Sequence, residues 1–357
     1  MNQLVVISRT AWLAVCSASA VLACGGLSGQ ATELPVIVWQ GRTMGSPYTV
    51  KVVDANLTQS QTEALKAEVE DRLKEVNRQM SHYQPESELS RFNRAPSTAP
   101  FKVSPEFARV VRFSLELYRR SNGAFDPTLA PVINLWGFGE KTDQQRVPPE
   151  ADLRAAMKTT GSQHLSVTAN DELVKDIPEL TINLSAVAKG FGVDQMVKVL
   201  RGHGLTNIYA AIAGEVKGLG HNPRGTNWQV GISAPLAHWR EDDAMAAVVS
   251  LSDQAISTSG DYQKFFTDAK GRRLCHIFDP KTGWPVQNNV GGVSVVAQDN
   301  MTADGLATTL FVLGPVAGLR FIESWTNAAA LFIVRESEGK FRSIPSSRFA
   351  CLTGCQP

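Results

Sequence analysis

Residues 180–201 read LTINLSAVAKGFGVDQMVKVLR. The apolar run over 180–184 predicts a strand, and the sequence from about 186 to 201 predicts a helix. Small residues, Ser185 and Ala186 foremost, join the two. Small side chains let a ligand approach the backbone, and a helix N-terminus favours an anion. Lys189 falls in the first turn, where it can pair with that anion. Tight packing of a strand on a helix gives the same pattern, so this stretch alone leaves both readings open.

The elements on either side set the fold class. Upstream, Val36–Trp39 and Tyr48–Val53 are strand-like. An amphipathic helix follows. Ser60 with Glu63 predicts its capping box, and Leu65, Val69, Leu73, Val76 and Met80 recur every three or four residues. Ser104-Pro105 predicts a second helix start, an N-cap followed by proline at the first helical position, with an end near Ser121, before Gly123. The Pro/Gly-rich segment 123–149 carries large aromatics and reads as an ordered loop with functional content. Downstream, strands are expected near 207–213, 228–232, 246–251, 293–297 and 329–335, and helices near 303–312 and 315–325. Strands and helices without regular βαβ alternation predict an α+β fold.

Composition narrows the function class. The chain has 357 residues, 43% of them hydrophobic and 19% charged, with a formal net charge of +1. That apolar content excludes intrinsic disorder. Near-neutral charge argues against a nucleic-acid binder, which would carry a basic excess. Residues 1–23 read as a secretory signal, with Arg9 as the only charge before a short apolar stretch. Val21-Leu22-Ala23-Cys24 resembles a bacterial lipobox, in which Cys24 becomes a lipidated N-terminus. Ordinary cleavage after Ala18-Ser19-Ala20 is the alternative. No other stretch reads as long and apolar enough to span a membrane. Residues 24–357 are then a single soluble domain, periplasmic and tied to the inner membrane only through Cys24. Loss of 1–23 removes Arg9 and leaves 34 basic against 34 acidic groups. Among the remaining cysteines, Cys275, Cys351 and Cys355, the last two can close a small C-terminal loop in an oxidising compartment.

Three further segments carry candidate chemistry. In Met301–Thr309, Asp304 and Thr308 are four apart and share a helix face. A carboxylate with a hydroxyl suits a hard cation such as Mg²⁺. The same pair reads equally as a helix-start carboxylate and a core hydroxyl. Ser257-Thr-Ser-Gly-Asp-Tyr262 precedes His276-Ile-Phe-Asp279-Pro-Lys-Thr-Gly283, whose second half is turn chemistry. His276 is there as an acid/base or as a cap for the turn. Gly123-Ala-Phe-Asp126-Pro-Thr128, with Trp136-Gly-Phe138 beyond it, sets one carboxylate among aromatics and suits a planar ring with polar edges. No Walker loop, GxSxG or HExxH is present, which weakens ATPase, serine-hydrolase and zinc-hydrolase readings.

Taken in order, these segments resemble the ApbE family, the FAD:protein FMN transferases. The resemblance runs from about residue 39 to 335. It rests on Thr43-Met-Gly-Ser46, Met80-Ser-His-Tyr83, GAFDPT at 123–128, NLSAVAKG at 183–190, AGEVKGLG at 213–220, STSGDY at 257–262, HIFDPKTGWP at 276–285 and ADGLATT at 303–309. Asn183 stands where many members have Asp, which keeps a hydrogen bond and loses a charge. The resemblance implies mixed sheets packed with helices, T-fold-like, with FAD in a cleft between subdomains. It implies Mg²⁺-dependent transfer of the FMN moiety of FAD to a Thr or Ser hydroxyl of an acceptor flavoprotein, with release of AMP. It places Mg²⁺ on Asp304, Thr308 and the Ala186 carbonyl. It assigns FAD contacts to Met44, Tyr83, Ala124, Phe125, Asp126, Asn183, Lys189, His276 and Ile277, and gives His276 and Asp304 catalytic roles. Implied acceptors are subunits of membrane redox complexes of the Rnf, sodium-pumping NADH:quinone reductase or nitrous-oxide reductase maturation type. An FAD pyrophosphatase giving FMN and AMP, and a non-catalytic flavin-binding lipoprotein, stay open as alternatives.

Overall fold

The run 180–184 is extended and buried, yet it joins no sheet in the computed structural model. Its backbone groups find other partners. Asn93 takes both polar groups of Ile182: Nδ2 donates to the carbonyl at 2.9 Å, and Oδ1 accepts from the amide at 2.8 Å. The Lys175 ammonium donates to Leu180 O at 3.0 Å, and Asn183 N–H donates to Pro127 O at 2.7 Å. Apolar sequence identified the buried segment, but Asn93, 89 positions from Ile182, together with Lys175 and the Pro127 carbonyl, occupies groups a ladder would have used.

The structure describes residues 33–139, 145–235, 245–262, 264–337 and 339–353. The signal segment, Cys24 and Cys355 lie outside them. Glu33–Pro357 clusters as one compact unit. Eight strands form its main sheet: β1 (Val36–Thr43), β2 (Ser46–Val53), β3 (Ile208–Ile212), β4 (Glu215–Leu219), β5 (Gln254–Gly260), β6 (Val290–Ala297), β7 (Ala329–Ser337) and β8 (Lys340–Pro345). Each pairs antiparallel with the next in that order. The sheet is thus a meander in chain order, with all but the last of the helices inserted between its strands. Five of the eight match runs expected from sequence. β4, β5 and β8 do not, because Gly, Ser, Thr and Lys dilute their apolar pattern. The expected strands near 228–232 and 246–251 pair only with each other, as Trp228–Ser233 and Met245–Leu251.

Eight helices accompany the sheet: α1 (Gln59–Met80), α2 (Glu88–Arg94), α3 (Pro105–Arg120), α4 (Ala130–Leu135), α5 (Glu150–Met157), α6 (Ala188–Gly202), α7 (Asn300–Ile322) and α8 (Phe349–Thr353). α1 buries the five residues its periodicity picked out. Its capping box is Thr58 with Gln61, not Ser60 with Glu63. Both pairs have the required spacing, and in the earlier one the Thr58 hydroxyl accepts from the Gln61 amide while the Gln61 side chain accepts from the Thr58 amide. α3 starts as expected, with Ser104 as N-cap and Pro105 inside it. Segment 123–149 is not all loop, since α4 forms within it.

α7 unites the two helices expected near 303–312 and 315–325. It runs from N-cap Asp299 through a break at Gly314, where φ is 69° and Pro315 follows. It is 23 residues long and its most apolar 18-residue window has a mean hydropathy of 1.6, the length and composition of a membrane span, contrary to the expectation that no such stretch exists beyond the signal. Here that apolarity serves the core. Met301, Leu306, Leu310, Phe311 and Ile322 are buried against β6, β7 and α3. β6 is buried along its whole length, with Val293 and Val295 facing this core and Val296 facing the opposite one. The second face of the sheet is covered by Trp228, Ile232, Val249 and Leu251 of the separate hairpin.

Candidate active site

α6 and α7 cross with their N-terminal turns in contact, and each caps the other. α6 has no side-chain cap of its own. Instead Gly190 N–H donates to Asp304 Oδ2 of α7 at 2.9 Å. In return, Asp194 of α6 accepts from the amides of Asn300 and Met301 at the start of α7, at 2.9 Å each. Gly190 and Asp194 are four apart, as are Asn300 and Asp304, so one helix face meets another. Glycine is required at 190, because a Cβ there would stand 2.3 Å from Asn300 O and 2.8 Å from Asp304 Cβ. Asp304 is therefore no start residue of its own helix. Burial raises its pKa to about 7, Lys189 opposes that shift, and Glu215 reinforces it.

β5 supplies the next layer. Ser257 Oγ–H donates to Asp304 Oδ1 at 3.4 Å, and the Ser259 and Thr308 hydroxyls lie 3.1 Å apart. Alternate residues of a strand share a face, and residues four apart share a helix face. Two rungs of β5 thus match one turn of α7. Lys189 forms an ion pair with Glu215, which begins β4. Burial works against the lysine's charge, but Glu215 and Asp304 outweigh it and raise its pKa.

A cavity of about 310 Å³ opens beside this cluster. Ala124, Phe125, Asp126, Asn183, Ala186, Lys189, His276, Ile277, Asp304 and Thr308 all line it. Two of the expected ligand residues do not. Met44 sits at the β1–β2 turn with φ 49°, and its tip packs where a Gly192 side chain would go. Tyr83 is 61% exposed, with its ring 3.9 Å from that of His82. Asp126 lines the cavity, but its Oδ1 already accepts from the Thr128 amide and hydroxyl and from Ser162 Oγ. It builds the loop that presents Phe125. Asn183 Oδ1 accepts from Ser185 N–H at 2.9 Å, an Asx turn that leads into α6.

His276 lines the same cavity. Its Nδ1 is 3.2 Å from Lys264 O. A carbonyl only accepts, so Nδ1 carries the proton and the neutral ring leaves Nε2 as an acceptor. Burial lowers the pKa to about 4, and the hydrogen bond to Lys264 O only partly offsets it. The turn after it has the predicted chemistry: Gly283 N–H donates to Asp279 O at 2.9 Å, with Gly283 at φ 68°. Trp136 Nε1–H donates to Gly283 O at 2.9 Å and ties the 123–138 segment to this turn. Phe138 and Phe278 pack beside it at 6.0 Å.

Reading by motif missed Glu215, Ser257, Ser259 and Lys264 as site residues. Each lies inside or beside a quoted run, but nothing in local spacing marks an acid or a hydroxyl for burial. The metal expectation has a partial test in the donor set. Asp304, Thr308 and the Ala186 backbone offer hard oxygens on one side of the cavity. Among the described residues, no group of three or more His, Cys, Asp or Glu forms a cage for a metal ion.

Buried carboxylates, a lysine in the first turn of a helix and a neutral histidine line one cavity, the kind of perturbed-pKa cluster that marks an enzyme site. The ApbE family model matches residues 44–332. A curated relative from Vibrio cholerae, named FAD:protein FMN transferase, is 40% identical over 310 residues, 87% of this chain and 90% of the relative. One of the same name from Haemophilus influenzae is 38% identical over 325 residues, covering 90% and 92%. Among solved structures, the flavin transferase ApbE from Vibrio cholerae superposes with a TM-score of 0.81 at 38% identity, covering 89% of this chain and 99% of that one. The apo flavinyl transferase ApbE from Pseudomonas stutzeri also gives 0.81, at 36% identity over 91% and 99%. The chain belongs to the ApbE family.

Proposed function

We propose that this protein transfers the FMN moiety of FAD to a threonine or serine hydroxyl of an acceptor flavoprotein, with release of AMP. The relatives' shared name supports the reaction class. The observation that carries the reading to this chain is the placement of Lys189 and Asp304 at the α6–α7 crossing, with His276 lining the same cavity.

The hydroxyl oxygen forms a bond to the FMN-side phosphorus, the bond from that phosphorus to the bridging oxygen breaks, and AMP departs with that oxygen. Lys189 and the α6 N-terminus hold the pyrophosphate. His276 Nε2 takes the hydroxyl proton, a contribution on the order of 10²–10⁴-fold. Phe125 and Ile277 offer apolar surface for the flavin ring. Asp304, Thr308 and the Ala186 carbonyl are the residues to hold Mg²⁺, which when bound masks phosphate charge. Met44 and Tyr83 stand outside the cavity lining.

The acceptor is a periplasm-facing flavoprotein subunit of a membrane redox complex, of the Rnf, sodium-pumping NADH:quinone reductase or nitrous-oxide reductase maturation type. The protein meets it at the inner membrane, held by lipidated Cys24. The lipobox-like Val21–Cys24 supports that address. Incubation with FAD, Mg²⁺ and an acceptor domain should give yellow fluorescence on the acceptor in a denaturing gel. FMN release with no labelled acceptor would assign hydrolysis instead. Palmitate labelling should be lost in Cys24→Ala, and persistent labelling would refute the anchor.

A further inference from the structure

Glu215 has no role in the reaction as written above, although it lines the same cavity. β4 starts straight after the Ala213-Gly214 turn, where Ala213 has φ 52°, and pairs Glu215 with Ile212 across it. The residue is 2% exposed and held by the sheet. Its Oε1 pairs with Lys189. Its Oε2 has no hydrogen-bond partner among the described residues. An unmatched buried carboxylate oxygen is costly, and such atoms call for an explanation.

The neighbours narrow what can complete it. Asp304 is itself an acceptor, occupied by Gly190 and Ser257. Phosphate oxygens are acceptors and repel a carboxylate. A donor that arrives with the ligand can supply the missing partner. A dinucleotide and a hydroxyl-bearing acceptor both bring one chemistry of that kind, an alcohol O–H beside a phosphate. We infer that Glu215 is a substrate-binding residue: Oε1 holds Lys189 toward the phosphates, and Oε2 accepts an O–H from an alcohol bound next to them. The inference rests on the flavin-transfer reading and deepens it.

Glutamine tests it, because the site needs two acceptors. Gln offers one acceptor and one donor, so Glu215→Gln removes the charge and can keep the lysine only if the alcohol reverses its bond and accepts from the amide N–H, which withdraws that O–H from its carboxylate acceptor. FAD affinity is measured by flavin fluorescence, and the acceptor KM by gel fluorescence. If the alcohol is a sugar hydroxyl, Glu215→Gln weakens FAD binding by about tenfold or more. If it is the acceptor hydroxyl, FAD binding holds and the acceptor KM rises by a similar factor. In both cases Glu215→Asp recovers part of the loss, and the effect persists in a Lys189→Met background. Loss of the effect in that background overturns the inference, since Glu215 then acts only through the lysine. Unchanged constants overturn it too, as does a variant that binds fewer Mn²⁺ ions per chain without FAD. Unsubstituted protein gives a test free of folding. FAD analogues that each lack one ribityl or ribose hydroxyl identify the sugar source, when one of them loses the same factor. If every analogue binds as FAD does and the acceptor KM of Glu215→Asp is also normal, the idea fails. Flavinylation by the unsubstituted protein alongside a normal Glu215→Gln sinks this inference alone, while absence of any FAD binding overturns the reading beneath it as well.

Discussion

His276 donates from Nδ1 to Lys264 O, and burial lowers its pKa from 6.5 to about 4. The imidazole should therefore stay neutral across the physiological range, with Nε2 ready to accept a proton. Its titration, followed by NMR in metal-free protein, should show a midpoint near 4. A midpoint near 6.5 would mean that solvent reaches the ring freely. The stability sign follows. The folded state binds fewer protons than the unfolded one between those two values, so the stability is whole above pH 6.5 and is lost as pH falls toward 4. Compared with His276→Gln, unfolding by urea should become progressively easier over that window. The histidine was legible as a candidate because it stands before a turn motif. Its proton state was not, because the partner carbonyl belongs to a residue 12 positions away.

At the scale of elements, the α6–α7 crossing bears the most weight. Gly190→Ala would push a methyl group into the Asn300 backbone, which cannot swing aside as a flexible side chain can. The expected cost is about 1–3 kcal/mol, read as a lower urea midpoint with an unchanged m-value. Wild-type stability in that variant would show that the helices can part without penalty. α1 and α3 were legible almost to the residue, since their signals are short-range: a cap, a proline and a repeating apolar stripe. β4, β5 and β8 were not, because a strand with a weak pattern of its own is made by its neighbours' ladders. The segment 180–184 shows the converse. It has strand-like sequence, and the side chains of distant Asn93 and nearby Lys175 take the backbone groups of Ile182 and Leu180 that a ladder would use.

At the scale of the molecule, Asp304 joins fold and chemistry. It caps α6, accepts from Ser257 and lines the cavity. Asp304→Asn keeps an acceptor for Gly190 and removes the charge. Its melting temperature should stay close to that of the parent, while Mg²⁺-dependent FAD turnover falls roughly 10²–10³-fold. Turnover that survives this change would refute the metal assignment. The charge balance of the whole chain, 35 basic against 34 acidic groups, offers no global field to gather a polyanionic substrate. Attraction has to come from groups placed at one crossing of two helices.

The sequence by itself determined the α+β class, the two long helices α1 and α3, the buried apolar runs and the motif order that identifies the family. These depend on residues close together along the chain, where periodicity and capping act. Only the tertiary structure decided that Asp304 caps a helix that starts more than a hundred residues earlier, that Glu215 meets Lys189, and that Met44 and Tyr83 stand outside the cavity. Burial and pairing of polar groups are set by the packing of distant segments, and no local pattern encodes them.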